Sequence, residues 1–216
     1  MRRNGLFILA LMLAVSTIAT VFAKDRNREG QNFKWVPKSG DLVFQTTKSQ
    51  LGPALELATG SNLTHVGIVY READTMFVLE AAGSVRRIPL DRWVKNGVEE
   101  KIYVKRFKSG KALLTAEVMD KIKRTFEKFE GREYDIQFGW SDDKFYCSEL
   151  VYKIFKEAAG IELGEIQKYG DFHLDNEIVR FWVNMYNPDG INVDENVITP
   201  VSIYNDSSLV TVYSTY

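Results

Sequence analysis

The chain has 216 residues, and 45% of them are apolar, a fraction typical of a protein with one packed core. Its 28 basic and 29 acidic residues give a formal charge of −1 at pH 7, which excludes the positive excess typical of nucleic-acid-binding proteins. We therefore expect no nucleic-acid partner and no polybasic membrane-binding patch.

The N-terminal segment has the pattern of a secretory signal peptide. Arg2 and Arg3 precede an apolar stretch that ends with the small residue Ala23, and charged residues follow at once. We predict that residues 1–23 are removed and that the protein is exported to the periplasm or the exterior. The alternative is a retained transmembrane anchor, which polar residues within the stretch oppose. After cleavage no stable membrane span is expected.

The remainder is predicted to be a leader, residues 24–38, followed by one domain, residues 39–216. The leader is polar and charged without a clear period. Short β-rich runs bounded by turn residues predict strands over 39–45, 64–70, 75–81, 84–90, 100–107 and 209–213. The intervening turn, residues 71–74, predicts that the second and third strands form a hairpin.

Helices are predicted where apolar residues recur with helical spacing. Such segments cover residues 52–60, 90–97, 115–131 and 147–160, and residues 176–186 fit either a helix or a strand. Thr115 is the expected N-cap of the third helix, and Gly160 the expected end of the fourth. A turn is expected over residues 198–204. Because strands and helices mix without regular βαβ alternation, the predicted class is α+β.

Cys147 is the one cysteine of the chain, so a protein predicted to be exported would carry a free thiol. One interpretation is a buried thiol that packs as a small hydrophobe. Its position at the first turn of the fourth predicted helix favours a nucleophile instead. There the unpaired N–H groups and the helix dipole stabilise a thiolate and the oxyanion formed in acyl transfer.

A catalytic thiolate needs a base, and the chain offers two histidines, His65 and His173. His173 lies in a polar loop and is expected to be solvated. His65 begins a predicted strand, and a symmetric hairpin over residues 71–74 would place it directly opposite Glu80. A carboxylate there would orient the imidazole and stabilise its charged form. A β-bulge in either strand would change this pairing.

The spacing of these residues resembles that of a known family. The segments GDLVF, HVGIVY and FVLEA are similar to the second half of the NlpC family of cell-wall peptidases. The segment YDIQFGWSDDKFYCSELVYKIFKEAAGIEL is similar to its first half, in which a cysteine heads a helix. The order of the halves is exchanged here, which resembles the circularly permuted branch of YiiX-like amidases and relatives of lecithin:retinol acyltransferase.

The resemblance implies a papain-like, permuted NlpC-type fold, with an antiparallel sheet or barrel packed against helices. It implies that Cys147 is the nucleophile, His65 the base and Glu80 the orienting residue. It also places Tyr134 near the oxyanion. Residues that flank the nucleophile are expected to form the rim of the cleft: Trp140, Ser141, Asp142, Asp143 and Tyr146.

The implied activity is a cysteine hydrolase that acts through a thioester, with no metal and no other cofactor. Two scattered histidines do not make a zinc site, and no phosphate-binding glycine loop is present. The carboxylates of Asp142 and Asp143 favour a cell-wall-type peptide amide that carries a free amine. The alternatives are a lipid acyl hydrolase or acyltransferase, an inactive ligand-binding relative, and an interaction protein with a buried thiol.

Overall fold

The computed structural model describes residues 34–216. The predicted signal peptide, residues 1–23, and most of the predicted leader lie outside the described residues. Residues 35–216 form one compact unit. Trp35, which the sequence assigns to the leader, belongs to this unit and stacks on Tyr213 with ring centroids 4.7 Å apart. None of the helices in the described residues is long and apolar enough to cross a membrane.

The strands of the described residues are β1 (Leu42–Gln45), β2 (His65–Glu72), β3 (Thr75–Ala82), β4 (Ser84–Pro89), β5 (Tyr103–Phe107), β6 (Gln167–Lys168), β7 (Asn196–Val197) and β8 (Leu209–Ser214). The helices are α1 (Gly52–Thr59), α2 (Leu90–Lys95), α3 (Gly110–Leu113), α4 (Ala116–Phe129), α5 (Cys147–Ala159), α6 (Glu177–Tyr186) and α7 (Pro200–Tyr204). Two 3₁₀ turns occur at Val98–Glu100 and Tyr169–Asp171.

Six strands form one antiparallel sheet in the order β4-β3-β2-β1-β5-β8, and β6 pairs with β7 separately. The predicted α+β class, with an antiparallel sheet packed against helices, is confirmed. The segment 176–186, left open between helix and strand, is the helix α6. The turn predicted over 198–204 is wrong, because Pro200 begins a short helix that Thr199 caps through the N–H of Ser202 at 3.1 Å.

The amphipathic helices α4 and α5 cover the core. On α5 the predicted inward residues are all buried: Leu150, Val151, Ile154, Phe155 and Ala158. The helix ends at Gly160, whose φ of 67° is the left-handed conformation that glycine adopts without strain. Burial of each large aliphatic or aromatic side chain contributes about 1.5–3 kcal/mol, so this face fixes α5, and with it Cys147, against the sheet.

Candidate active site

Cys147 is the first residue of α5, as the sequence predicts. Its side chain is 3% exposed, and its Sγ lies 4.0 Å from the carbonyl oxygen of Thr64, the residue before β2. The first N–H groups of a helix have no partner within the helix, so the start of α5 offers donors beside the sulfur. The position can stabilise negative charge on the sulfur and on a substrate oxygen.

His65 lies at the start of β2, next to Thr64, and is buried. Its Nε2 is 2.6 Å from Oε2 of Glu80 on β3. The thiol of Cys147 also interacts with the imidazole. The indole of Trp93 stacks on the imidazole with a centroid distance of 5.8 Å, which limits rotation of the ring. Thiol, imidazole and carboxylate thus lie together in one buried cluster.

Opposing effects set the proton affinity of His65. Burial alone would lower the pKa of the imidazole, because the charged form loses its hydration. Hydrogen bonds with Cys147 and Glu80, and the negative charges of both groups, outweigh burial and raise the pKa to about 10. At neutral pH the ring is therefore an imidazolium, the form that pairs with a thiolate and can protonate a leaving group.

The carboxylate of Glu80 is held through both oxygens. Oε2 binds His65, and Oε1 accepts a hydrogen bond of 2.9 Å from Nε of Arg86 on β4. Burial would raise the pKa of Glu80, but the hydrogen bonds with His65 and Arg86 lower it below its usual value. Glu80 is therefore ionised at neutral pH, and its orientation is fixed from two sides.

The predicted pairing of His65 directly opposite Glu80 is wrong by two residues. The hairpin turn is shorter than expected, because β2 and β3 extend until Glu72 pairs with Thr75. Ile68 consequently pairs with Leu79, and Glu80 approaches His65 diagonally. A shift of two residues keeps the side chains on the same face of the sheet, so the two groups still meet. A Cβ added at Gly67 would lie 2.3 Å from Val78, so the hairpin is tightly packed between them.

Two tyrosines border the cluster. The hydroxyl of Tyr134 makes no hydrogen bond within the described part of the chain. Burial and the charge of Cys147 raise the pKa of Tyr134 well above 10, so the hydroxyl remains a donor. Tyr146 is 2% exposed, and its hydroxyl accepts a hydrogen bond of 3.1 Å from the N–H of Ile198. The hydroxyl of Tyr134 is therefore available to donate a hydrogen bond.

A deep apolar cleft opens at Cys147. Its empty volume is about 830 Å³, including the part open to solvent. Helices α1 and α6 both supply lining residues, and Tyr134 and Tyr146 lie near the sulfur. Its apolar lining includes Leu51, Ala54, Ala58, Val179, Trp182 and Val183. We call this space the apolar cleft; its lining is that of a site for an apolar ligand.

The remaining predicted rim residues lie elsewhere. Trp140, Ser141 and Asp142 line a separate surface depression together with Lys153. Asp142 forms an ion pair with Lys153 at 2.8 Å, and this hydrogen bond lowers the pKa of the carboxyl. Asp143 is exposed and lines neither that depression nor the apolar cleft. The structure therefore brings Cys147, His65, Glu80, Tyr134 and Tyr146 together, without an acidic rim.

Glu149 is a site residue that the sequence reasoning missed. It lies in the first turn of α5 with 0% exposure, and its Oε2 accepts a hydrogen bond of 3.4 Å from the N–H of Tyr146. Burial raises the pKa of Glu149 to about 7, although Lys153 at 2.9 Å favours the charged form. A glutamate at the third position of a helix is a known capping signal and could have been recognised.

Comparisons with known proteins identify the family of this chain. Residues 36–213 match the model of a family described as permuted papain-like amidase enzymes, YaeF/YiiX, C92 family. The uncharacterized protein YiiX of Escherichia coli (strain K12) is 32% identical over 210 residues, covering 97% of this chain and 95% of that protein. The crystal structure of metalloprotein yiiX from Escherichia coli O157:H7 superposes with a TM-score of 0.80 and 34% identity, covering 84% of this chain and 99% of that one.

Proposed function

The chain belongs to the permuted papain-like amidase family, and on that premise we propose that it is an exported cysteine amidase that hydrolyses N-acyl amides through a thioester on Cys147. The observation that carries the proposal is the buried contact of 2.6 Å between His65 and Glu80, beside a sulfur at the tip of α5. The intact cluster argues against an inactive relative. The predicted signal peptide, residues 1–23, is the basis for export.

In the first step the sulfur of Cys147 attacks the amide carbonyl, and a C–S bond forms. The carbonyl oxygen becomes an oxyanion, for which the N–H groups at the start of α5 and the hydroxyl of Tyr134 are the available donors. His65 then gives its proton to the leaving nitrogen, the C–N bond breaks, and the amine departs. The product is a thioester between the acyl group and Cys147.

In the second step water releases the acyl group. Neutral His65 takes a proton from the water, whose oxygen attacks the thioester carbonyl. The C–S bond breaks, the carboxylic acid leaves, and the thiolate–imidazolium pair is restored. Glu80 holds the ring and stabilises its positive charge throughout. Net consumption is one water per amide bond.

We assign the steps to protein groups alone. The relative from Escherichia coli O157:H7 is described as a metalloprotein. Within residues 34–216 of this chain, no three His, Cys, Asp or Glu side chains are grouped so that they could hold a metal ion. The donor set therefore does not fit a metal centre, and no step is routed through one.

The acyl group is proposed to be an apolar chain. The sequence favoured a cell-wall peptide with a free amine because of Asp142 and Asp143, but Lys153 neutralises Asp142 away from the sulfur. The apolar cleft instead presents aliphatic and aromatic walls directly at Cys147. Each buried methylene of a chain there contributes about 0.8 kcal/mol. A substrate with a lipid-like acyl chain is therefore preferred over a cell-wall peptide, and the bond that is broken is an amide.

The proposal is tested with N-acyl amides of increasing chain length and with an amine-bearing cell-wall peptide. We expect turnover of the acyl amides and an acid-stable acyl adduct on Cys147, detected by mass spectrometry. Cys147→Ala should give no adduct, and His65→Ala should lower kcat/KM by about 10³-fold. His173→Ala is the matched control, since that exposed histidine lines neither the apolar cleft nor the cluster, and it should retain wild-type activity.

Two results would contradict the proposal at different levels. Turnover retained by Cys147→Ala would refute the thioester mechanism. Cleavage of the cell-wall peptide without any cleavage of acyl amides would refute the apolar acyl group and leave the nucleophile in place.

A further inference from the structure

A second cleft borders the proposed catalytic cluster. It has an empty volume of about 1040 Å³, including solvent-exposed space, and it is lined by His65 and Glu80. Three cationic side chains lie around it: Lys48 after β1, Arg86 on β4 and Lys95 at the end of α2. We call it the cationic cleft.

The charges around this cleft do not cancel. Three cations face one carboxylate, Glu80, whose two oxygens are already occupied by Arg86 and His65. Neither Lys48 nor Lys95 forms an ion pair in the described part of the chain. Nζ of Lys48 instead donates a hydrogen bond of 2.9 Å to the backbone carbonyl oxygen of Lys95, which holds the Lys48 ammonium at the end of α2. The cationic side chains around the cleft therefore outnumber its one carboxylate, and the cleft carries a net positive charge.

The two clefts meet at the reacting groups. Cys147 lines the apolar cleft, whereas His65 lines the cationic cleft, and Thr64, Tyr134 and Ile136 border both. An acyl group bonded to the sulfur extends into the apolar cleft. The leaving nitrogen must lie beside the imidazolium that protonates it. The group attached to that nitrogen consequently occupies the cationic cleft.

We propose that the cationic cleft binds an anionic group, a carboxylate or a phosphate, carried on the leaving amine of the substrate. This inference rests on the proposed function and specifies its substrate class as an N-acyl amide whose amine portion is negatively charged. Lys48 and Lys95 supply the free positive charge, and Arg86 adds to it while it holds Glu80. Together they select the leaving group and draw an anionic substrate toward the site.

Binding is measured by calorimetry with the inactive Cys147→Ala protein, so that the measurement does not depend on turnover. The ligands share one acyl chain: N-octanoylglycine carries a carboxylate, N-octanoylaminomethylphosphonate a phosphonate, and N-octanoylglycinamide no charge. We expect the two anionic ligands to bind about five- to tenfold more tightly than the uncharged N-octanoylglycinamide. This is the gain expected from exposed charge pairs with Lys48 and Lys95. Comparison of the first two ligands distinguishes a carboxylate from a phosphate site.

In the double variant Lys48→Gln/Lys95→Gln, the anionic and the uncharged ligands should bind about equally tightly. In the double variant Lys48→Arg/Lys95→Arg, which keeps both charges, the preference for the anionic ligands should persist. Lys121→Gln, a change at an exposed lysine of α4 outside both clefts, is the control and should leave it unchanged. Equal binding of the three ligands, or a preference that survives the double Gln substitution, would overturn the inference. Turnover of neutral N-octanoylglycinamide by wild-type enzyme tests the proposed function separately.

Discussion

Three neighbouring side chains contact the imidazole of His65. Trp93 stacks on the ring, Glu80 binds Nε2, and the thiol of Cys147 also interacts with the ring. Burial disfavours the charged ring, yet the carboxylate and the sulfur raise its pKa to about 10. The ring is therefore charged at neutral pH, the form that the proposed mechanism needs to protonate the leaving nitrogen.

The alkaline limb of the pH profile should report this imidazolium. In wild-type enzyme we expect kcat/KM to fall as pH rises through about 10, where His65 loses its proton. Glu80→Gln removes a negative charge that raises the pKa of His65, so the limb should move to lower pH while partial activity remains. Glu72→Gln, at the exposed end of β2, is the control and should not move it. An unchanged limb in Glu80→Gln would show that Glu80 does not act through the ring.

At the level of single elements, α1 and α6 line the proposed acyl site. The two helices contact one another, and apolar residues of both line the cleft. Neither helix carries a residue of the proposed catalytic cluster. In the proposed mechanism these helices select the acyl chain, whereas α5 and β2 provide the reacting groups.

Chain-length preference should therefore depend on α1. Ala58→Phe places a ring inside the apolar cleft and should lower kcat/KM for dodecanoyl amides by about tenfold or more, with butanoyl amides unaffected, because several methylenes lose their buried site. Leu57→Phe is the matched control, because Leu57 lies on the same helix and is 39% exposed. Equal losses for both chain lengths in Ala58→Phe would place the acyl chain elsewhere.

The β2–β3 hairpin shows how an element can be predicted while its register is not. The alternating apolar pattern identified both strands. The sequence predicted a turn of four residues, whereas the observed turn has two, Ala73 and Asp74. Because side chains alternate with a period of two, the error of two residues preserved the shared face of His65 and Glu80. An error of one residue would have separated them.

At the scale of the whole molecule, the buried carboxyl of Glu149 couples stability to pH. Burial raises its pKa from the ordinary 4.5 to about 7, so the folded protein binds more protons than the unfolded chain between these values. A carboxyl whose pKa is raised contributes stability that is complete below the unfolded pKa. That contribution is lost as pH rises through the folded pKa.

Glu149→Gln removes this titration. We compare the free energy of unfolding of wild type with that of Glu149→Gln. The value for wild type minus the value for the variant should fall by about 1–3 kcal/mol from pH 5 to pH 8. Urea unfolding at the two pH values measures the difference. Glu117→Gln, in the exposed first turn of α4, should show no such change relative to wild type. The same difference at both pH values for Glu149→Gln would mean that the carboxyl does not titrate in this range.

The sequence by itself determined the features that depend on local pattern. Amphipathic spacing placed Cys147 at the tip of α5, strand alternation placed His65 and Glu80 on one face, and their order indicated the permuted family. These inferences needed only neighbours in sequence, whose spacing dictates which side chains share a face.

Only the tertiary structure decided the surroundings of the cluster. It buried Glu149, paired Asp142 with Lys153 away from the sulfur, and joined α1 to α6 around the apolar cleft. It also gathered Lys48, Arg86 and Lys95 beside His65. Residues so far apart in the chain meet through loop closure and packing, and no local periodicity encodes which of them come together.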